Sequence, residues 1–88
     1  MSNNSAELLS DPTNFAVVQL PGRRFPGVVM QGDTLNSTLA TLKRVQATFE
    51  GQDNQIAARL DFVVEQLESA KVFYEEVCAA RGIPLPYK

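Results

Sequence analysis

The residues best equipped for chemistry stand seven in a row, Pro21-Gly22-Arg23-Arg24-Phe25-Pro26-Gly27. Each Pro-Gly step suits a type II turn, because proline fixes φ at the first corner and glycine supplies positive φ at the second. Two such turns would stiffen the loop and expose backbone N–H groups beside the glycines. The guanidiniums of Arg23 and Arg24 offer forked donors for phosphate or carboxylate, and Phe25 offers a ring on which a base could stack. This combination suits an anionic, partly aromatic ligand such as a nucleotide. The nearby Gly32-Asp33-Thr34 helix start would add free amides that attract anions. The predicted ligand-binding residues are therefore Gly22, Arg23, Arg24, Phe25, Gly27 and Thr34. The plainer alternative stays open: two solvated arginines on a loop, with Phe25 folded into the core. The spacing matches no Walker or dinucleotide fingerprint.

Little else in the chain can do chemistry. There is no histidine, and Cys78 is the only cysteine, which removes most metal sites and nearly all acyl-transfer machinery. Asp61, Glu65, Glu68, Glu75 and Glu76 fall on one arc of a helix and read as a solvated face. Cys78 reads as a small buried hydrophobe, since a reactive thiol needs a positive neighbour and a base. These absences predict a protein that is not an enzyme and uses no cofactor or metal. With eight basic against ten acidic residues, the chain lacks the dense basic face of general nucleic-acid binding, while a small phosphorylated ligand held by a few arginines remains compatible.

Eighty-eight residues make a single domain whose lone core is marginal, so self-association is expected. A single thiol and the lack of a charged, apolar leader point to the cytoplasm. No apolar run approaches the ~20 residues that a membrane span requires.

The elements that must hold the loop follow from turn signals and periodicity. Residues 1–14 are polar, broken by Pro12, and read as a flexible arm. Phe15–Leu20 and Val28–Gln31 read as the strands of a β-hairpin over 15–31. Asp33 reads as the N-cap of a helix over 33–50, whose apolar stripe is Leu35, Leu39, Leu42, Val45 and Phe49. Asp53 or Asn54 caps a second helix over 53–81, with Gly82 as its left-handed stop and 82–88 as an extended tail. The predicted class is α+β: a short N-terminal hairpin followed by an antiparallel pair of helices, the second one long, in an oligomer.

The second helix carries the strongest periodicity, with Ile56, Leu60, Val63, Leu67, Ala70, Tyr74 and Val77 spaced 4, 3, 4, 3, 4, 3. At ~1.5 Å per residue it is roughly 43 Å long, longer than the ~30 Å diameter of an 88-residue globule. With Ile56 at zero and ~100° per residue, the stripe lies near 0° while Phe62 and Phe73 lie near 250°. The second seam needs the strand hairpin or a neighbouring copy to cover it. Phe62, Phe73, Leu67 and Tyr74 are the predicted subunit contacts, and a second copy of the chain is the predicted partner. A protein-binding inhibitor that covers a toxin with its acidic helix, such as an immunity protein or antitoxin subunit, is the competing reading.

The stretch Leu20-Pro-Gly-Arg-Arg-Phe-Pro-Gly-Val-Val-Met-Gln-Gly-Asp-Thr-Leu35 resembles small bacterial and phage domains with a strand, a PGR-FPG loop, a QGD step and a helix. In plan alone the chain also looks like phage anti-defence proteins that sequester nucleotide immune signals, the Thoeris inhibitors among them. That likeness implies a symmetric oligomer with pockets between protomers, holding a phosphorylated ligand without turning it over in the host cytoplasm.

Overall fold

The computed structural model describes residues 5–52 and 54–88, and groups the chain into two compact units, 1–31 and 32–88. It is α+β, with a three-stranded antiparallel sheet followed by two helices.

In the first unit, β1 (Glu7–Leu8), β2 (Val17–Gln19) and β3 (Gly27–Val28) are ordered β1-β2-β3, with β2 in the centre. Glu7 pairs with Gln19 and Leu8 with Val18, while Val17 pairs with Val28 and Val18 with Gly27. The third strand arises within the segment read as a flexible arm, of which residues 1–4 lie outside the described residues. Two polar anchors make β1 possible despite its shortness. The Leu9 N–H donates to the Val17 carbonyl at 2.8 Å, and the Val17 N–H donates to Ser10 Oγ at 2.8 Å. Ala16 is the one buried apolar side chain among this unit's described residues.

The second unit is a helical hairpin of α1 (Gly32–Thr48) and α2 (Gln55–Arg81). α1 begins at Gly32, so Asp33 sits inside the first turn instead of capping it from outside. Its Oδ1 still accepts from the Thr34 N–H at 2.8 Å, serving one of the donors that a helix start leaves unpaired. Asn54 caps α2, with extended backbone and a side chain that accepts from the Ala57 N–H at 2.8 Å. Asp53, the other candidate cap, lies outside the described residues. Gly82, at φ 68°, ends α2 in a Schellman arrangement: its N–H reaches the Ala79 carbonyl and the Ile83 N–H reaches that of Cys78.

The inward row of α2 differs from the expected stripe by one position at every other step. Ala57, Val64 and Cys78 are buried and Leu60, Leu67, Lys71 and Tyr74 half-buried, whereas Ile56, Val63, Ala70 and Val77 stay exposed. α1 shifts likewise. Its inward row is Gly32, Leu35, Leu39, Leu42 and Gln46, continued just past its end by Phe49, a 3, 4, 3, 4, 3 spacing that leaves Val45 outside. Leu39, at 2% exposure, is the most deeply enclosed side chain. Gln46 earns its inward place by donating from Nε2 to Asp61 Oδ1 at 2.9 Å, and Lys43 pairs with Glu68 at 2.7 Å. Two members of the acidic arc thus tie the hairpin together.

Candidate functional site

The β2–β3 loop, residues 20–26, is the site the structure builds. Pro21 and Gly22 form the expected type II turn: Gly22 has φ 76°, and the Arg23 N–H returns to the Leu20 carbonyl at 3.3 Å. The second Pro-Gly step does not turn. Gly27 lacks positive φ and instead opens β3 opposite Val18. Antiparallel pairing therefore claims Gly27, and Pro26 stands just ahead of the strand, where its missing N–H costs the ladder nothing.

Rigidity comes from Gln19, a residue outside the predicted ligand-binding set. Its Nε2 donates to the Leu20 carbonyl at 3.2 Å and to the Arg23 carbonyl at 2.7 Å, closing the loop from the end of β2. The signal for it is a polar residue that ends the Val17-Val18 run with only Leu20 between it and Pro21-Gly22.

Leu20, Gly22, Arg23, Arg24, Phe25, Pro26 and Gly27 surround an open depression of 430 Å³. Phe25 is 72% exposed, so it does not fold into a core. The Arg24 guanidinium lies 5.3 Å from the centroid of its ring, a cation–π contact that holds both groups in one orientation. Among the described residues neither Arg23 nor Arg24 pairs with a carboxylate. The loop thus offers two free cations and an accessible aromatic face on a tied backbone.

Thr34 is not part of this cluster. It belongs to the second unit, half-buried in the first turn of α1, and the Asp33 carboxylate already occupies its amide. A negative side chain on that amide removes the reason for expecting an anion there. The predicted contact residues also separate. Phe62 and Phe73 are exposed on α2, whereas Leu67 and Tyr74 are half-buried in its inward row. Tyr74 packs against Gly32, where a β-carbon would overlap its ring.

Around Tyr74 lies a polar cluster at the far end of α2. Burial first, then the Cys78 thiol and Asp33, raise the Tyr74 pKa above the ordinary 10.0. The tail folds back so that Tyr87 lies beneath Lys71, whose Nζ is 5.0 Å from the ring centroid. The Tyr87 hydroxyl is buried and makes no hydrogen bond, although Glu75 stands close by. Burial, and then that carboxylate, push its pKa up to about 12. Cys78 is a buried free thiol beside this pair.

Two further depressions are less suited to a ligand. One of 400 Å³ at the α1–α2 turn mixes Lys43, Gln46, Glu50 and Asp61, whose polar ends are engaged across the hairpin or exposed. The other, 550 Å³, is a strip along α2 lined by Glu65, Glu68, Ser69, Val72, Phe73 and Glu76. No three histidine, cysteine or carboxylate side chains among the described residues come together as a metal site. No helix there is long and apolar enough to cross a membrane.

Residues 1–87 match a family model described as a family of unknown function, DUF6959, and the chain belongs to that family. No curated protein and no solved structure matches it.

Proposed function

We propose that this member of the DUF6959 family is a non-catalytic binding protein. Its β2–β3 loop captures a small anionic ligand with an aromatic part, nucleotide-like in its chemistry, and sequesters it without turnover. The single observation that carries this reading is the pairing of unneutralised Arg23 and Arg24 with the exposed Phe25 ring on a loop that Gln19 ties down. Free cations at a fixed place lose little entropy on meeting a phosphate, and a held ring does the same for a base. A reducing cytoplasm, which would keep Cys78 a thiol, is the matching location.

Isothermal titration against a panel of linear and cyclic nucleotides, with inorganic phosphate as control, tests the proposal. Binding by one or more nucleotides is expected, and the Arg23→Ala, Arg24→Ala double variant should lose it. Such exposed changes should move folding stability by no more than ~0.5 kcal/mol. A flat response from folded protein across the panel would overturn the reading.

One observation favours the competing inhibitor reading: the acidic strip of α2, where Glu65, Glu68 and Glu76 flank the exposed Val72 and Phe73. Stoichiometric retention of one basic protein by the immobilised chain, undisturbed by the arginine substitutions, would support it over nucleotide capture.

A further inference from the structure

α2 carries a second apolar face, about 100° around the helix from the row that meets α1. Ile56, Phe62, Val63, Phe73 and Val77 are exposed there, the two phenylalanines at 62% and 68%. Along this face positions 56, 59, 63, 66, 70, 73, 77 and 80, apolar except for Arg59 and Gln66, repeat at spacings of 3 and 4, and the spacing reads identically from either end about position 68. A row of that symmetry can mate with a reversed copy of itself, because every apolar layer meets a layer at the same height.

We infer that two copies of the chain associate through this face, with their α2 helices antiparallel. Val63 then lies level with Phe73 of the second copy, Gln66 with Ala70, Arg59 with Val77 and Ile56 with Ala80, each contact occurring twice. Charge selects this direction. Arg59 is exposed and, among the described residues, has no carboxylate partner in its own chain. In the antiparallel register it comes beside Glu76 of the second copy. A parallel register would set Arg59 against Arg59 at the same height.

Size and geometry agree. Each phenylalanine offers roughly 130 Å² of exposed surface. The whole face offers on the order of 600 Å² per copy, somewhat under the ~800 Å² per partner of a standard interface, which fits a reversible dimer. A helix with one neighbour on each of two faces about a right angle apart is also the arrangement of a four-helix bundle, here made from two hairpins.

Sedimentation equilibrium in the hundred-micromolar range tests the inference, with far-ultraviolet circular dichroism as the check on folding. Twice the chain mass is expected. Arg59→Glu should weaken association at least tenfold at unchanged helix content, and the Arg59→Glu, Glu76→Arg double variant should restore it. Phe73→Ser should weaken association by a similar factor without involving charge. A monomer throughout, a higher oligomer, a dimer indifferent to Arg59→Glu, or failure of the double variant to recover would each overturn the pairing. The loop proposal is read separately. A monomer that binds nucleotide sinks only the dimer, and a dimer that binds none sinks only the ligand site.

Discussion

The ring of Tyr74 rests on the bare α-carbon of Gly32, joining the first residue of α1 to the last third of α2. A β-carbon at position 32 would fall within that ring. Alanine is intrinsically the better helix former by ~1 kcal/mol, so propensity alone favours the substitution. Overpacking costs about 1–3 kcal/mol and acts in the opposite direction. Gly32→Ala should therefore destabilise the protein in urea denaturation, and Tyr74→Leu in the same chain should recover part of the loss. A Gly32→Ala variant as stable as the parent would show that the ring moves aside freely.

The two loop glycines should differ in their response to alanine. Gly22 has φ 76°, where a β-carbon is strained by roughly 1–2 kcal/mol, while Gly27 lies in a strand with nothing within 4 Å of a built β-carbon. Gly22→Ala should weaken nucleotide binding by distorting the turn, and Gly27→Ala should leave it nearly unchanged. Phe25→Ala should cost about 10–100-fold in affinity if a base stacks on the ring. Titration calorimetry on the three variants separates turn geometry from ring contact.

Core and surface contributions to the helical hairpin should differ plainly. Leu39 is almost fully enclosed, so Leu39→Ala should cost about 2–5 kcal/mol. The Lys43–Glu68 pair is about half exposed on both sides, and Lys43→Ala should cost less than ~1 kcal/mol. Chemical denaturation of both variants measures the contrast.

The alkaline behaviour of the two tyrosines offers a test without mutation. Tyr87 titrates near 12 in the folded chain against 10.0 for the free group, and Tyr74 is shifted in the same direction. Between those values the unfolded chain binds fewer protons than the folded one, so stability is complete below pH 10 and falls as pH rises toward 12. Phenolate absorbance should accordingly rise late and together with the loss of helix. Tyr87→Phe removes a buried hydroxyl that has no hydrogen-bond partner, so near neutral pH it should leave stability unchanged or raise it.

Local stops and starts were the most legible part of this chain. Asn54 and Gly82 end α2 for reasons visible in the sequence, and Pro21-Gly22 turns as its residue types require. The pattern around α2 was harder to read because two alternative inward rows share Leu60, Leu67 and Tyr74. The sequence favours completing the row with the greasier Ile56, Val63, Ala70 and Val77. The hairpin instead completes it with Ala57, Val64, Lys71 and Cys78, accepting the aliphatic stem of Lys71 and placing Tyr74 over Gly32. Gly32 itself stands three residues before Leu35 and seven before Leu39, a signal that only the partner helix makes meaningful. In the loop, Arg23, Arg24 and Phe25 come together as their sequence suggests. Gly27 borders the depression but makes no second turn, because strand pairing claims it, and the Thr34 amide is taken by the Asp33 carboxylate. β1 was hidden because two residues give no periodicity at all.

α2 continues past Tyr74, beyond the first residue of α1, and there the returning Tyr87 supplies further cover. The turn from Glu75 to Cys78 is thus covered by the six-residue tail as well as by the hairpin, while residues 79–81 stay exposed. Deuterium should enter this stretch at a rate set by detachment of the tail, faster than in the helical turns around Val64 and insensitive to moderate weakening of the α1 contact. The terminal turns would then form a small opening unit of their own, fastened by one aromatic ring and the ammonium group above it.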